Sequence, residues 1–206
     1  MITIVDYGVG NLFSLLSSFR SIGSEVEVSG DLAVIKNATK IVLPGVGAFR
    51  DACAKLKENG LDQVLVQKAE EGVPFLGVCL GMQLLFEKSF EYGEYEGLGL
   101  IPGEVRAMTE RVPDSLKIPH MGWNSLHFTG PEGSKPALFK NTNEGDHVYF
   151  VHSFSAVGCE ADTAAVCEYG VPITAAVTKG NVFGCQFHPE KSGRIGLQIL
   201  KAFEEL

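Results

Sequence analysis

Long apolar runs are missing from this 206-residue chain. No stretch approaches the roughly 18 consecutive apolar residues of a membrane span, and the start, MITIVDYGVG, lacks the basic residues and small-residue cleavage site of a signal peptide. Both absences lead us to expect a cytoplasmic protein with no membrane partner. Basic runs are missing too. With 17 Lys and Arg against 25 Asp and Glu, and a formal net charge of -8, no row of cations can neutralise a row of phosphates, so nucleic acid is not an expected partner. Paired cysteines are also lacking. Cys53, Cys79, Cys159, Cys167 and Cys185 are odd in number and widely spaced, without a C-x-x-C pair or a Cys/His cluster of zinc-ligand spacing. Neither disulfides nor a metal site is expected, and most of these thiols read as small buried hydrophobes. Complete nucleotide fingerprints are absent as well. GVGNLF at 8–13 has Phe13, and GVGAFR at 45–50 has Arg50, where G-x-G-x-x-G needs its third glycine, and neither ends in Lys-Ser/Thr. No cofactor is expected, and these glycines read as tight strand-to-helix turns.

What is present is enough apolar material, 45% of residues, to bury one sizeable core, so residues 1–206 are expected to form a single domain. The first half alternates strands and helices. ITIV, EVEV, KIVLP and PFLGVC read as strands, and NLFSLLSSFRSIG and LDQVLVQKAEEG as helices. That order predicts a parallel sheet with helices on both faces. Beyond Tyr92 come short strands punctuated by Gly and Pro, namely LGLIPGEVRAM, HVYFVHSFSAV, AAVCEYG, PITAAVTKG and NVFGCQFHP, and then a helix near RIGLQILKAFEEL. The fold class expected is α/β: a mixed, largely parallel central sheet with flanking helices and an added antiparallel strand region. GEYEG and TGPEGSKP read as the weakest loops, and no repeat or linker is visible.

The chemistry concentrates at PFLGVCLGMQLLFE, residues 74–87. Gly77-Val78-Cys79-Leu80-Gly81 has the spacing of a nucleophile elbow, G-x-S-x-G, with cysteine replacing serine between an apolar strand and a helix. Such a turn lifts the thiol above the sheet edge at a helix N-terminus, where free N–H groups and the helix dipole favour thiolate. The structural alternative is a buried core cysteine before an ordinary helix. A thiol nucleophile needs a base, and the base an orienting group. Of the five histidines, only His188 has a carboxylate two positions on, in QFHPEKS. In an extended segment, i and i+2 project to the same side, so Glu190 can lie beside the imidazole. A surface turn is the alternative for HPE alone; with the elbow, a Cys79–His188–Glu190 triad explains both motifs. Oxyanion donors are expected from the amide of Leu80 and from the loop Pro44-Gly45-Val46-Gly47, with Val46 or Gly47 turned inward.

PGVGAF, GVCLGMQLLFE and FHPEKS, in that order and across almost the whole chain, resemble the class I (triad) glutamine amidotransferases. These hydrolyse the side-chain amide of glutamine through a cysteinyl thioester and pass ammonia to a synthase. IVDYGVGNLFSL, PHMGWNSL and YFVHSF narrow the resemblance to the branch whose glutaminase forms a heterodimer with a separate cyclase subunit in histidine biosynthesis. The resemblance implies that Cys79 is the nucleophile, His188 the general base and then acid, and Glu190 its orienting group. It also implies that Gly47, Gln83, Ser153 and Phe154 hold the α-amino and α-carboxylate groups of the substrate, glutamine. Many relatives carry Thr-Tyr where this chain has Ser153-Phe154, a change of small consequence if the contacts are made by backbone. Trp123 would mark the face that meets the cyclase, with Lys191 at the mouth of the site; a core tryptophan and a surface lysine are the alternatives. A glutaminase serving another acceptor, in pyridoxal phosphate or purine synthesis, and a non-catalytic interaction subunit of the same fold stay open.

Overall fold

The computed structural model describes residues 1–130 and 135–206. The middle of the loop TGPEGSKP lies outside the described residues. The chain runs β1 (Ile2–Val5), α1 (Leu12–Ser21), β2 (Val26–Ser29), α2 (Leu32–Lys36), β3 (Lys40–Leu43), α3 (Phe49–Glu58), α4 (Leu61–Glu70), β4 (Phe75–Val78), α5 (Leu80–Gln83), β5 (Phe86–Ser89), β6 (Tyr95–Glu96) and β7 (Ile101–Ala107). It continues through β8 (His120–Ser125), β9 (His127–Phe128), β10 (His147–His152), β11 (Phe154–Val157), β12 (Thr163–Glu168), β13 (Pro172–Lys179), β14 (Val182–Cys185) and α6 (Gly193–Glu204).

The central sheet has eight strands in the order β2-β1-β3-β4-β14-β13-β12-β9. Its first five are mutually parallel, and the remaining three continue antiparallel. Strands β1, β4 and β14 are buried along their whole length, as continuous apolar strands covered on both faces must be. On one face Leu15 and Phe19 of α1 pack with Ile199, Leu200 and Phe203 of α6; each fully buried side chain of this size contributes about 1.5–3 kcal/mol. The side chain of Asn11 accepts the N–H of Ser14 and caps α1. On the other face, α3 and α4 bury Phe49, Leu56, Leu61 and Leu65.

Several elements depart from the sequence expectations. Helices α2 and α3 were not among them, although Phe49, Ala52, Cys53 and Leu56 make a buried stripe at helical spacing in α3. The segment HVYFVHSFSAV divides at Ser153: β10 pairs with β8 in a two-stranded sheet, whereas β11 pairs with β7 in a separate four-stranded sheet. The strand from NVFGCQFHP is not purely antiparallel, because β14 lies parallel to β4 on one side and antiparallel to β13 on the other. The helix after Cys79 is one turn long. A Cβ on Gly81 would overlap the carbonyl oxygen of Leu43, so this turn is pressed against the end of β3, and the chain then leaves as β5. A single turn carries little of the aligned peptide dipole expected to act on the thiol.

Candidate active site

Strands β4 and β14 run side by side, with Gly77 opposite Gly184 and Val78 opposite Cys185. The next amide extends that contact: Cys79 N–H donates to the carbonyl of Cys185 at 2.7 Å. Cys79 then turns through φ 55° and ψ -111°, a positive-φ conformation that a side-chain-bearing residue adopts only when its surroundings enforce it. Gly77 is required here by close approach, since a Cβ would stand 2.6 Å from the carbonyl oxygen of Gly81. The elbow expected from G-V-C-L-G is therefore present in the backbone.

Beyond β14 the chain bends at Gln186 and Phe187, His188 has extended dihedrals, and Pro189 opens a short 3-10 turn, Pro189–Lys191. The pair His188 and Glu190 thus lies past the strand rather than in it, and proline takes a first-turn position where no N–H is needed. The side chains still meet: His188 Nδ1 is 2.8 Å from Glu190 Oε1, with both side chains almost fully buried. Backbone contacts hold the histidine in place. Its N–H donates to the carbonyl of Tyr149 in β10 at 2.9 Å, and its own carbonyl accepts from Ser192 Oγ at 2.6 Å. Burial by itself would lower the His188 pKa, but the neighbouring Cys79 and Glu190 groups outweigh it and raise the imidazole to about 9.

These groups open on a cavity of about 390 Å³, within the size range of small-molecule sites. Its lining includes Cys79, His188, Val46, Gly47, Leu80, Gln83, Ser153, Phe154 and Lys191. The structure thus brings together the expected nucleophile, base, oxyanion loop and substrate wall. Gly47 has φ +94° with open space around its Cα, and Val46 is 43% exposed. Leu80 occupies the first position of its helical turn, where an N–H has no acceptor within the helix. Gln83 is bound into the protein as well. Its Nε2 donates to the Phe154 carbonyl at 3.2 Å and to Gln186 Oε1 at 3.0 Å, so both amide hydrogens are committed to the protein.

Glu91, Tyr92 and His152 also line the cavity without having been singled out from sequence. Glu91 is buried, its Oε2 accepts the Phe49 N–H at 2.7 Å, and burial raises its carboxyl pKa. One glutamate within the acid-rich stretch 87–96 carries no local mark of such a position. Trp123 is 56% exposed on β8 and packs edge-on against Tyr149 at 6.1 Å between ring centroids, so it is not a core residue. All five cysteines are free and buried. Burial pushes the Cys53 thiol to about 11 and Cys167 to about 12, which leaves both protonated near neutrality.

The chain is 49% identical to the imidazole glycerol phosphate synthase subunit HisH of Caldanaerobacter subterraneus subsp. tengcongensis, over 100% of this chain and 98% of that protein. It is 47% identical to the protein of the same name from Moorella thermoacetica, over 100% and 94%. Among solved structures, a glutamine amidotransferase superposes with a TM-score of 0.76 at 17% identity, covering 100% of this chain and 98% of the other. PurLQS from Thermotoga maritima gives 0.72 at 19% identity, covering 98% and 96%; both show likeness of fold. Residues 3–204 match the family described as glutamine amidotransferase class-I, and the chain belongs to that family.

Proposed function

We propose that this chain is the glutaminase subunit of imidazole glycerol phosphate synthase, acting as one amidotransferase domain in the cytoplasm. It hydrolyses glutamine and delivers ammonia to a separate cyclase subunit that closes the imidazole ring in histidine biosynthesis. The observation that carries the chemistry is the Cys79 thiol, raised on a positive-φ elbow inside the cavity that also contains His188, itself held by Glu190. Identity of 47–49% over the whole chain to HisH proteins favours this acceptor over pyridoxal phosphate or purine synthesis. The intact nucleophile, base and carboxylate favour an enzyme over a non-catalytic interaction subunit.

In the reaction, His188 takes the thiol proton and the Cys79 sulfur attacks the side-chain carbonyl of glutamine. The resulting oxyanion is met by the Leu80 N–H and by an amide of the Val46-Gly47 unit. His188 returns its proton to the amide nitrogen, the C–N bond breaks, and ammonia leaves behind a thioester. Water, deprotonated by His188, then cleaves the thioester to glutamate and regenerates the thiol. Glu190 holds the ring so that one nitrogen faces the sulfur. Glu91 supplies an anion for the α-ammonium group, while the backbone at Ser153 and Phe154, with Gly47, forms the wall against the amino-acid end.

Replacing Cys79 with Ala tests this reading. Glutamine-dependent synthesis by the complex with its cyclase should vanish, whereas synthesis from an added ammonium salt should persist, because ring closure occurs on the partner. Retained glutamine hydrolysis in Cys79→Ala would overturn the assignment.

A further inference from the structure

The polar groups behind the glutamine cavity form one connected chain whose hydrogen-bond direction is forced from both ends. At the outer end stands Asn124 of β8. Its Oδ1 accepts the Ser125 N–H at 2.8 Å and its Nδ2 donates to the Glu168 carbonyl at 2.8 Å, which fixes the amide orientation. The same Nδ2 lies 3.4 Å from His120 Nε2, so that ring nitrogen is the acceptor. Next, His120 Nδ1 is 3.0 Å from His152 Nε2, and His152 Nδ1 is 2.8 Å from the Phe154 carbonyl. A carbonyl only accepts, so His152 carries its hydrogen on Nδ1, which leaves Nε2 to accept from Nδ1–H of His120. The two ends agree on one direction. His120 is also sandwiched, with ring centroids 4.8 Å from Phe150 and 4.1 Å from Tyr169.

The Phe154 carbonyl receives a second donor, Gln83 Nε2. With that amide oriented, its remaining hydrogen goes to Gln186 Oε1, and Gln186 must present its own Nε2 to Cys79 Sγ, at 3.9 Å. A flipped Gln186 would set an amide oxygen against the sulfur. The contact is long for the resting thiol, as such contacts are before substrate and charge draw them in.

We propose that Gln186 is a positioning residue that donates to the Cys79 sulfur as it gains charge, and that its direction is set through Gln83 by the Phe154 carbonyl, the acceptor on which the Asn124–His120–His152 chain also ends. Resting on the assignment of Cys79 as nucleophile, it adds a second donor at the sulfur, beside His188, oriented from the same backbone carbonyl that ends the chain from β8.

Two measurements on the cyclase complex decide it. In ¹⁵N-edited NMR of the wild-type complex at neutral pH, both His120 and His152 should carry their proton on Nδ1 with Nε2 bare; a proton on Nε2 of either ring overturns the chain. In single-turnover assays, Gln186→Met should slow thioester formation about tenfold, the effect of roughly 1.4 kcal/mol, with KM for glutamine unchanged. Gln186→Glu, which places an anion against the sulfur, should slow it further. Unchanged thioester formation in both variants overturns the role of Gln186 and leaves the Cys79→Ala test standing separately.

Discussion

The carbonyl of Cys185 accepts the backbone N–H of Cys79 at 2.7 Å, and this bond joins two segments more than a hundred residues apart in sequence. It continues the parallel register of β4 and β14 by one residue past the strand, so the elbow and the histidine segment leave the sheet at the same end. Ligands of open α/β sheets bind outside the carboxyl ends of such strands. The meeting of thiol and imidazole is a consequence of that pairing.

Loss of His188 should cost more than loss of charge at Glu190. His188→Ala removes the proton carrier, and we expect turnover with glutamine to fall about 10²–10⁴-fold. Glu190→Gln leaves an oxygen able to accept from Nδ1 and should impair turnover less. Single-turnover thioester measurements give the order directly, and the reverse order would contradict the roles assigned.

Gly47 should resist substitution for a conformational reason. Its φ of +94° suits glycine, and the space around its Cα is open, so a side chain there fails through the backbone rather than through a clash. Gly47→Val should hold the Val46-Gly47 unit away from the oxyanion and reduce glutamine turnover by about 10²–10³-fold. Synthesis from ammonium salt should be spared. We expect the wild-type loop to reach its donor-in state on docking of the cyclase with its ligand. Equal glutamine turnover by the free chain, the complex and the liganded complex would refute that gating.

Stability should fall on both sides of neutrality, for different histidines. Burial lowers His120 to about 4 and His152 to about 3, so below pH 6.5 the unfolded chain takes up protons that the folded one refuses. Their contribution is full above pH 6.5 and is lost as pH falls toward 4, at about 1.4 kcal/mol per pH unit for each ring at most. His188, raised to about 9, has the opposite sign: its contribution is full below pH 6.5 and is lost as pH rises through 9. Urea midpoints from pH 4.5 to 9.5 should peak near pH 6.5–7. His152→Gln should flatten the acid limb, and His188→Ala the alkaline one.

Trp123 should matter for assembly and little for folding. It is exposed on the same face of β8 as Met121, which is the character of an aromatic anchor at an interface. Trp123→Ala should weaken cyclase binding about 30-fold or more, the effect of roughly 2 kcal/mol, while thermal unfolding of the free chain moves little. Calorimetric titration checks the first and a melting curve the second; unchanged affinity would remove Trp123 from the interface.

Local pattern determined much of this protein. Strand and helix periodicity before residue 79, the glycines around Cys79 and the i, i+2 spacing of His188 and Glu190 are all short-range features, so the elbow and the base pair were legible as residues. The extent of α5 was not, because contact with Leu43, nearly forty residues earlier, presses the turn at Gly81 against β3. Nor was the division of HVYFVHSFSAV at Ser153: both halves have strand character, and only their partners in different sheets separate them. The burial of Glu91 at the cavity, the fixed direction of the His120–His152 contact and the exposure of Trp123 share that origin. Each depends on which distant strands are neighbours, and hydrogen-bond partners and burial are properties of that arrangement, not of any stretch of sequence read alone.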